Sequence, residues 1–399
     1  MNKYSKITPE GTRDLLFEEC DARRSIEYVL SALFKARGYK KVITPTLEFF
    51  DVFNRESSGL EIESLYSLND YTGRMMVLRP DSTLPIARIA ATRLKDAQYP
   101  LRLYYNQRVF HRCPSFSGHS DETTQGGIEL IGANGIRSDL EIITTAIDAL
   151  NSCGAPDFRI EIGHAGFFKA LSMALNTSEE MRAQIGEFIE AKNFAALNDL
   201  LDTLGESEAA TVMRSLPRLF GDIEVLDEAE SVCSGKDELS ALNYIRRLYL
   251  KLSELGLGNK INIDLGLVHR NNYYTGVVFR GFIEGSGLTV LSGGRYDMLI
   301  GEFGKQLPAT GFGVEIDALA NAMLGRGDIP PSRGVDVLVF GEDGYEMQAL
   351  SHSRELNAQE LICENCVEES AKAAEIYAKN RGIKRLDIVG SEGCKTVNL

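Results

Sequence analysis

The sequence predicts an α+β fold: a largely antiparallel sheet flanked by helices, with a helical insertion and a small C-terminal α/β domain. Three observations carry this. Segments 101–110, 126–132 and 157–163 are short, rich in β-branched and aromatic residues, and separated by loops or a single helix near 139–151, without regular βαβ alternation. Residues 167–257 are dominated by Ala, Leu and Glu with few strand signals, which marks an inserted helical subdomain. Strand signals resume at 261–265, 274–282 and 288–292, and again beyond a Gly/Pro-rich stretch near 330.

Taken in order, Ile26, Val29, Leu30, Leu33 and Phe34 recur at spacings of three and four, so 12–37 is expected to be an amphipathic helix stopped by Gly38. A short strand at 41–43 follows, ended before Pro45. After the strands and the insertion, a helix near 313–324 closes the first unit, which spans 1–325. Gly and Pro together continue neither helix nor strand, so 326–334 reads as a linker. The remaining domain, 335–399, alternates strand (335–340), helix (345–356), strand (360–363), helix (367–381) and strand (385–389).

Composition narrows the function. A chain of 399 residues, 44% hydrophobic and 25% charged, has material for two or three cores. A formal net charge of -14 repels phosphate backbones, and no dense Lys/Arg run offsets it, so no nucleic-acid partner is expected. No apolar stretch reaches signal-peptide or membrane-spanning length, which predicts a cytoplasmic protein without a membrane partner. The seven cysteines are odd in number and scattered, as reduced thiols are. Cys363-Glu-Asn-Cys366 is the one paired spacing, and it lacks the second ligand pair or thioredoxin-like context that a zinc or redox role requires. No metal and no cofactor are expected.

Several separated segments carry chemistry. Asp81 and Thr83, after Pro80, read by themselves as a helix N-cap. Gln125 and Glu129 lie four apart on a strand and project from one face. Tyr273-Tyr274-Thr275-Gly276 and Gly293-Gly294-Arg295-Tyr296-Asp297 supply aromatic walls and a glycine turn where backbone approaches something closely; core packing is the plain alternative for each. Their joint occurrence in this order points to one pocket.

These segments, with Leu78-Arg79-Pro80-Asp81-Ser82-Thr83 and the stretch from Gly38-Tyr39 to Pro45, resemble the histidyl-tRNA synthetase family over roughly residues 5–325. The resemblance extends to the family's non-synthetase branch, the regulatory subunits of ATP phosphoribosyltransferase, and implies a class II aminoacyl-tRNA synthetase core. It also implies a pocket for free histidine: Asp81 and Thr83 at the α-ammonium, with Gln125, Glu129, Tyr273, Tyr274 and Tyr296 around the rest of the ligand.

The same resemblance exposes departures. Adenylation accumulates negative charge on phosphoryl oxygens and requires preorganised cations there. Where the family has Phe-Arg-x-Glu this chain has Phe110-His111-Arg112-Cys113, and the later loop arginines fall on His119 and Asp121. The clamping arginine of the third motif is Ile316, and the arginine expected at the α-phosphate is His269. Losing one such donor typically costs on the order of 10² to 10³ in rate, and several are replaced here. His111, His119 and His269 can be read as a metal cluster or as a residual anion-facing pocket; the second needs less machinery because all three occupy arginine positions. His164, between a strand and a helix, is a cap or an interface residue with no assigned chemistry.

The resemblance therefore implies a non-catalytic regulatory subunit. Its partner would be a short-form ATP phosphoribosyltransferase catalytic subunit, in a hetero-oligomer built on homodimers of this chain, with histidine as the small-molecule effector of feedback inhibition. The rivals are an active histidyl-tRNA synthetase, a ligase using ATP, magnesium and tRNA, and a free-standing synthetase paralogue. Against the first stand the replaced arginines, the acidic balance and a C-terminal unit short for an anticodon-binding domain, of which it would be a vestige; the second shares the fold but still needs the ATP site if it is a ligase.

Overall fold

A computed structural model describes residues 3–55, 58–113, 120–155, 157–268, 273–283, 289–329 and 333–399. They form two compact units, Met1–Ile329 and Pro330–Leu399.

In the first unit, α1 (Glu18–Ala36) buries Ala22, Ile26, Leu30 and Phe34, a stripe at spacing four, and carries Glu18, Glu19 and Asp21 in its first turn, where the helix dipole favours negative charge. It begins at Glu18 and not at the expected Thr12, because Thr12 is spent in a turn on the Pro9 carbonyl through both its N–H and its hydroxyl. Gly38, at φ +82°, takes the left-handed conformation that turns the chain after the helix. Next come β1 (Lys40–Lys41) and a small sheet of β2 (Leu47–Phe49), β3 (Ser67–Asn69) and β4 (Met75–Leu78), in the order β2-β4-β3. The helix α2 (Thr83–Ala91) leads to the long strands β5 (Leu101–Phe110) and β6 (Glu122–Ile131), then α3 (Ile136–Ser152) and β7 (Phe158–His164).

The insertion is helical as expected: α4 (Ala165–Ala174), α5 (Glu179–Glu190), α6 (Phe194–Leu204), α7 (Glu208–Ser215), the two-residue strand β8 (Phe220–Gly221), α8 (Val225–Val232) and α9 (Lys236–Glu254). Ser178, Asn193 and Ser207 cap α5, α6 and α7 by accepting the backbone N–H three residues on, each cap contributing about 1 kcal/mol. The chain then adds β9 (Ile261–Asp264), β10 (Val277–Ile283), β11 (Thr289–Arg295), β12 (Ala309–Glu315) and α10 (Ile316–Arg326).

The main sheet has nine strands in the order β1-β5-β6-β12-β11-β10-β7-β9-β8, antiparallel except for the β1–β5 and β7–β9 pairs. The expected helix near 313–324 is corrected here: residues up to Glu315 are the central strand β12. Gly311 and Gly313 on one face and Phe312 and Val314 on the other give an alternation of small and large side chains that hydrophobic periodicity does not register. The main core lies on the side of Phe312, where Phe34, Tyr104, Ile128, Ile143 and Phe279 pack together, each burial worth about 1.5–3 kcal/mol. The opposite face carries a second cluster containing Tyr105, Tyr273, Tyr296 and Leu84.

The second unit comprises β13 (Val337–Gly341), α11 (Glu346–Ala358), β14 (Cys363–Asn365), α12 (Ala371–Asn380), β15 (Arg385–Gly390) and β16 (Gly393–Asn398). Its sheet order is β14-β13-β15-β16, parallel except for β16. The strand β16 was not expected, since an exposed edge strand shows no apolar alternation. All seven cysteines are free thiols, and among the described residues no helix is long and apolar enough to cross a membrane.

Candidate ligand-binding site

A hollow opens on the face of the main sheet opposite the α1 core, and four small residues make its floor. The register pairs Gly311 with Glu129 and with Gly294, and Gly313 with Gln125 and with Ser292, so these positions share one face across β6, β12 and β11. A Cβ at Gly311 would lie 1.9 Å from Glu129 Oε2, and one at Gly294 would lie 2.8 Å from the Tyr274 ring; glycine here is what lets the carboxylate and the ring lean inward. Around this floor stand Asp81, Thr83, Gln125, Glu129, Tyr273, Tyr274 and Tyr296, all seven of the candidate histidine-site residues, in a cavity of about 50 Å³.

Glu129 is the centre. Its side chain is 2% exposed, Thr83 Oγ1 donates to Oε1 at 2.8 Å, and the Tyr296 hydroxyl donates to Oε2. Burial, with a smaller contribution from the Asp81 carboxylate, pushes the Glu129 carboxyl up to about 8, against the two hydrogen bonds that favour its ionised form. Asp81 is raised to about 6 by burial as well, although it accepts the Leu84 N–H at 2.9 Å. It therefore caps α2 and lines the hollow at once. Tyr105, Tyr273, Tyr274 and Tyr296 are all raised by burial, so they stay neutral donors. Gln125 is fixed by accepting from Tyr105 at 3.3 Å and donating to Glu315 at 3.0 Å. The Tyr273 ring packs against Tyr274 at 4.7 Å and edge-on against Tyr296 at 5.6 Å.

No cationic side chain lines the hollow among the described residues. Two desolvated carboxyl groups without a counter-ion suit a ligand that brings its own positive charge, and the tyrosines and carboxamide offer directional hydrogen bonds and flat apolar surface to the remainder. A larger groove of about 630 Å³ lies behind β5 against α1. Its arginines are largely committed to local acids, Arg13 to Glu19 at 2.6 Å and Arg23 to Asp317 at 3.6 Å, so size does not single it out.

The hollow is held from behind by buried polar groups. Arg79 donates to the carbonyls of Arg108 and Thr44, both at 2.7 Å, and so pins the turn that presents Asp81. Gln107 donates to Ser82 at 3.0 Å and to Thr44 at 3.1 Å. Beside Tyr296, Arg295 forks onto Asp139 at 2.6 and 3.2 Å, and Asp139 also accepts from Tyr244 of the insertion. His164 caps α4 by accepting the Gly166 N–H at 3.1 Å, and burial lowers its imidazole to about 4, so it stays neutral.

Of the positions where the resemblance expected the ATP-binding arginines and glutamate, those that the structure describes, His111, Cys113, Asp121 and Ile316, do not line the hollow. His111 and Cys113 lie at the end of β5, where the His111 N–H donates to the Asp121 carbonyl at 2.8 Å and the Cys113 N–H to Asp121 Oδ1 at 2.9 Å. Asp121 also accepts the Tyr66 hydroxyl. Ile316 is fully buried in the main core. His119 and His269 lie outside the described residues, as does Arg270. Tyr105, Ser292, Gly311 and Gly313 were missed by sequence reasoning. Tyr105 was legible in principle, alternating two apart from Gln107 on a strand, whereas the small residues became significant only with the register of β12.

Comparison with known proteins shows the family. The profile of the family described as histidyl-tRNA synthetase matches residues 11–319. Identity is 40% over 386 residues to the ATP phosphoribosyltransferase regulatory subunit of Clostridium botulinum, covering 96% of this chain and 92% of that protein. It is likewise 40% over 391 residues to the protein of that name from Clostridium kluyveri, covering 97% and 100%. A crystal structure described as an ATP phosphoribosyltransferase regulatory subunit/histidyl-tRNA synthetase from Bacillus halodurans superposes with a TM-score of 0.83 at 30% identity, covering 97% of this chain and 98% of that one. The chain belongs to the histidyl-tRNA synthetase family, on the branch of the ATP phosphoribosyltransferase regulatory subunits.

Proposed function

We propose that this chain is a cytoplasmic subunit without catalytic activity of its own, which supports a short-form ATP phosphoribosyltransferase catalytic subunit and makes it sensitive to histidine. The carrying observation is the hollow, where Asp81 and Glu129 face one space with no counter-charge among the described residues while Thr83 and Tyr296 hold the Glu129 carboxyl in place. The α-ammonium of histidine would supply the missing charge, and Gln125, Tyr273 and Tyr274 would frame its carboxylate and imidazole. Inhibition then requires that histidine bind one state of the complex better than another, and the coupling cannot exceed that difference.

Two further observations support the reading. The ATP-side positions that the structure describes hold His111, Cys113, Asp121 and Ile316, none a fixed cation. Leu47, Phe49 and Leu68 lie on one face of the small sheet at 39–45% exposure, an apolar strip suited to a homodimer contact within the larger assembly. The test is ATP phosphoribosyltransferase activity of a short-form catalytic subunit with and without this chain, titrated with histidine, beside a histidine-dependent pyrophosphate-exchange control. Stimulation that histidine reverses, without exchange, is the expected result; exchange without stimulation overturns the reading in favour of a synthetase.

A further inference from the structure

We propose that His352, Asp387 and Cys394 of the C-terminal unit form a binding site for a zinc-class divalent cation. His352 is distant in sequence from Asp387 and Cys394, which lie on the two strands of one hairpin, and the fold brings the three together. The β15–β16 register pairs Asp387 with Thr396 and Val389 with Cys394, which puts Asp387 and Cys394 on one face of the sheet. The helix α11 packs over that face through Ala349 and Leu356 against Val337, Val339 and Val389, and it delivers His352 onto the two.

His352 Nε2 lies 2.8 Å from Asp387 Oδ2 and 3.5 Å from Cys394 Sγ. The three donor atoms all fall within 4.8 Å of one another. For a tetrahedral zinc ion with Zn–N near 2.0–2.1 Å and Zn–S near 2.3 Å, the N···S edge is about 3.5 Å, the separation already present, and the N···O edge is about 3.4 Å. The ion is admitted when the His352–Asp387 contact opens to that edge and the Asp387–Cys394 edge, which lies within 4.8 Å, settles at about 3.5 Å.

The surroundings are those of a built site. Asp387 is 0% exposed, and its orientation is fixed without His352. Arg385 donates to Oδ1 at 2.9 Å and to Oδ2 at 2.7 Å, and Thr396 to Oδ1 at 2.8 Å. Such outer partners orient a ligating carboxylate and offset its charge. Cys394 is exposed and His352 half-buried, so the donors form a rim open to solvent above a fixed floor. Thiolate with imidazole selects zinc or another borderline-soft ion over magnesium or calcium, and three protein ligands leave a fourth position for water. The site is independent of the proposed function.

The experiment uses the full untagged chain, stripped with chelator and titrated with Co2+ and then Zn2+. The expected result is one equivalent of Co2+ with sulfur-to-cobalt charge-transfer absorption that Zn2+ abolishes. Cys394→Ser removes the absorption, His352→Gln weakens binding at least tenfold, and Cys20→Ser, at another exposed thiol, changes neither. No charge-transfer absorption at one equivalent, or absorption that survives in Cys394→Ser, overturns the proposal. Both informative substitutions are at accessible side chains, and the buried Asp387 is left intact to keep the fold.

Discussion

The hollow on the main sheet and the base of the β5–β6 pair are both polar, but they are satisfied in opposite ways. In the hollow, the hydroxyls of Thr83 and Tyr296 are spent on Glu129, yet both carboxyls remain raised and without a counter-ion among the described residues. At the base, the Asp121 carboxylate accepts from Tyr66 and from the Cys113 N–H, and its own N–H donates to the Gly11 carbonyl at 2.7 Å. Among the described residues, the first region has no positive charge to meet its carboxyls, while the second has closed its polar groups on one another. The proposed ligand site is the first; the described part of the second is held by its own hydrogen bonds.

The largest expected effect tests the frame behind the hollow. Arg295 and Asp139 are both buried, so Arg295→Met leaves an uncompensated carboxylate and is expected to cost about 3–5 kcal/mol of unfolding free energy in urea. A loss below 1 kcal/mol would mean that the network does not hold β11 to α3. Next, Gly311→Ala drives a methyl into the Glu129 carboxylate and is expected to weaken histidine binding tenfold or more, whereas Cys113→Ser at the base leaves it unchanged. Equal effects at the two positions would erase the contrast.

A pH series sharpens it further. Glu129 titrates near 8 when folded against 4.5 when unfolded, so the native state keeps a proton that the unfolded state gives up. The corresponding stability is complete below about 4.5 and is lost as pH rises towards 8. The Tm of the ligand-free protein should fall across that window, the Glu129→Gln variant should lack this component, and bound histidine should restore most at the alkaline end. The smallest effect is expected from His111→Arg combined with Cys113→Glu, which returns the base to the family pattern: no pyrophosphate exchange, and histidine affinity within about twofold.

The legible parts of the sequence were those where one residue announces a backbone rule or a repeated spacing. Ile26, Leu30 and Phe34 marked α1, Gly38 its end, and the spacing of Gln125 and Glu129 placed both on one face. The seven candidate residues reached one cavity because each sat in a segment with its own signature. The floor was not legible. Gly311 and Gly313 resemble flexible punctuation in sequence, and only their pairing with Glu129 and Gln125 gives them a function. Asp81 shows a different limit, since it accepts the Leu84 N–H at the start of α2 and also lines the hollow, so the two readings do not exclude each other. The His352–Asp387–Cys394 cluster lay beyond reach because β16 has no apolar pattern to predict it, and the strand's register is what brings Cys394 to Asp387's face.

The most direct measurement is calorimetric titration of histidine into the wild-type chain and into Glu129→Gln near neutral pH. The account predicts one histidine per chain with proton release from the raised carboxyls on binding, and at least a hundredfold weaker binding in the variant, the scale expected when one partner of a buried charge pair is removed. Unchanged affinity in the variant, or no binding to the wild-type chain, would contradict it.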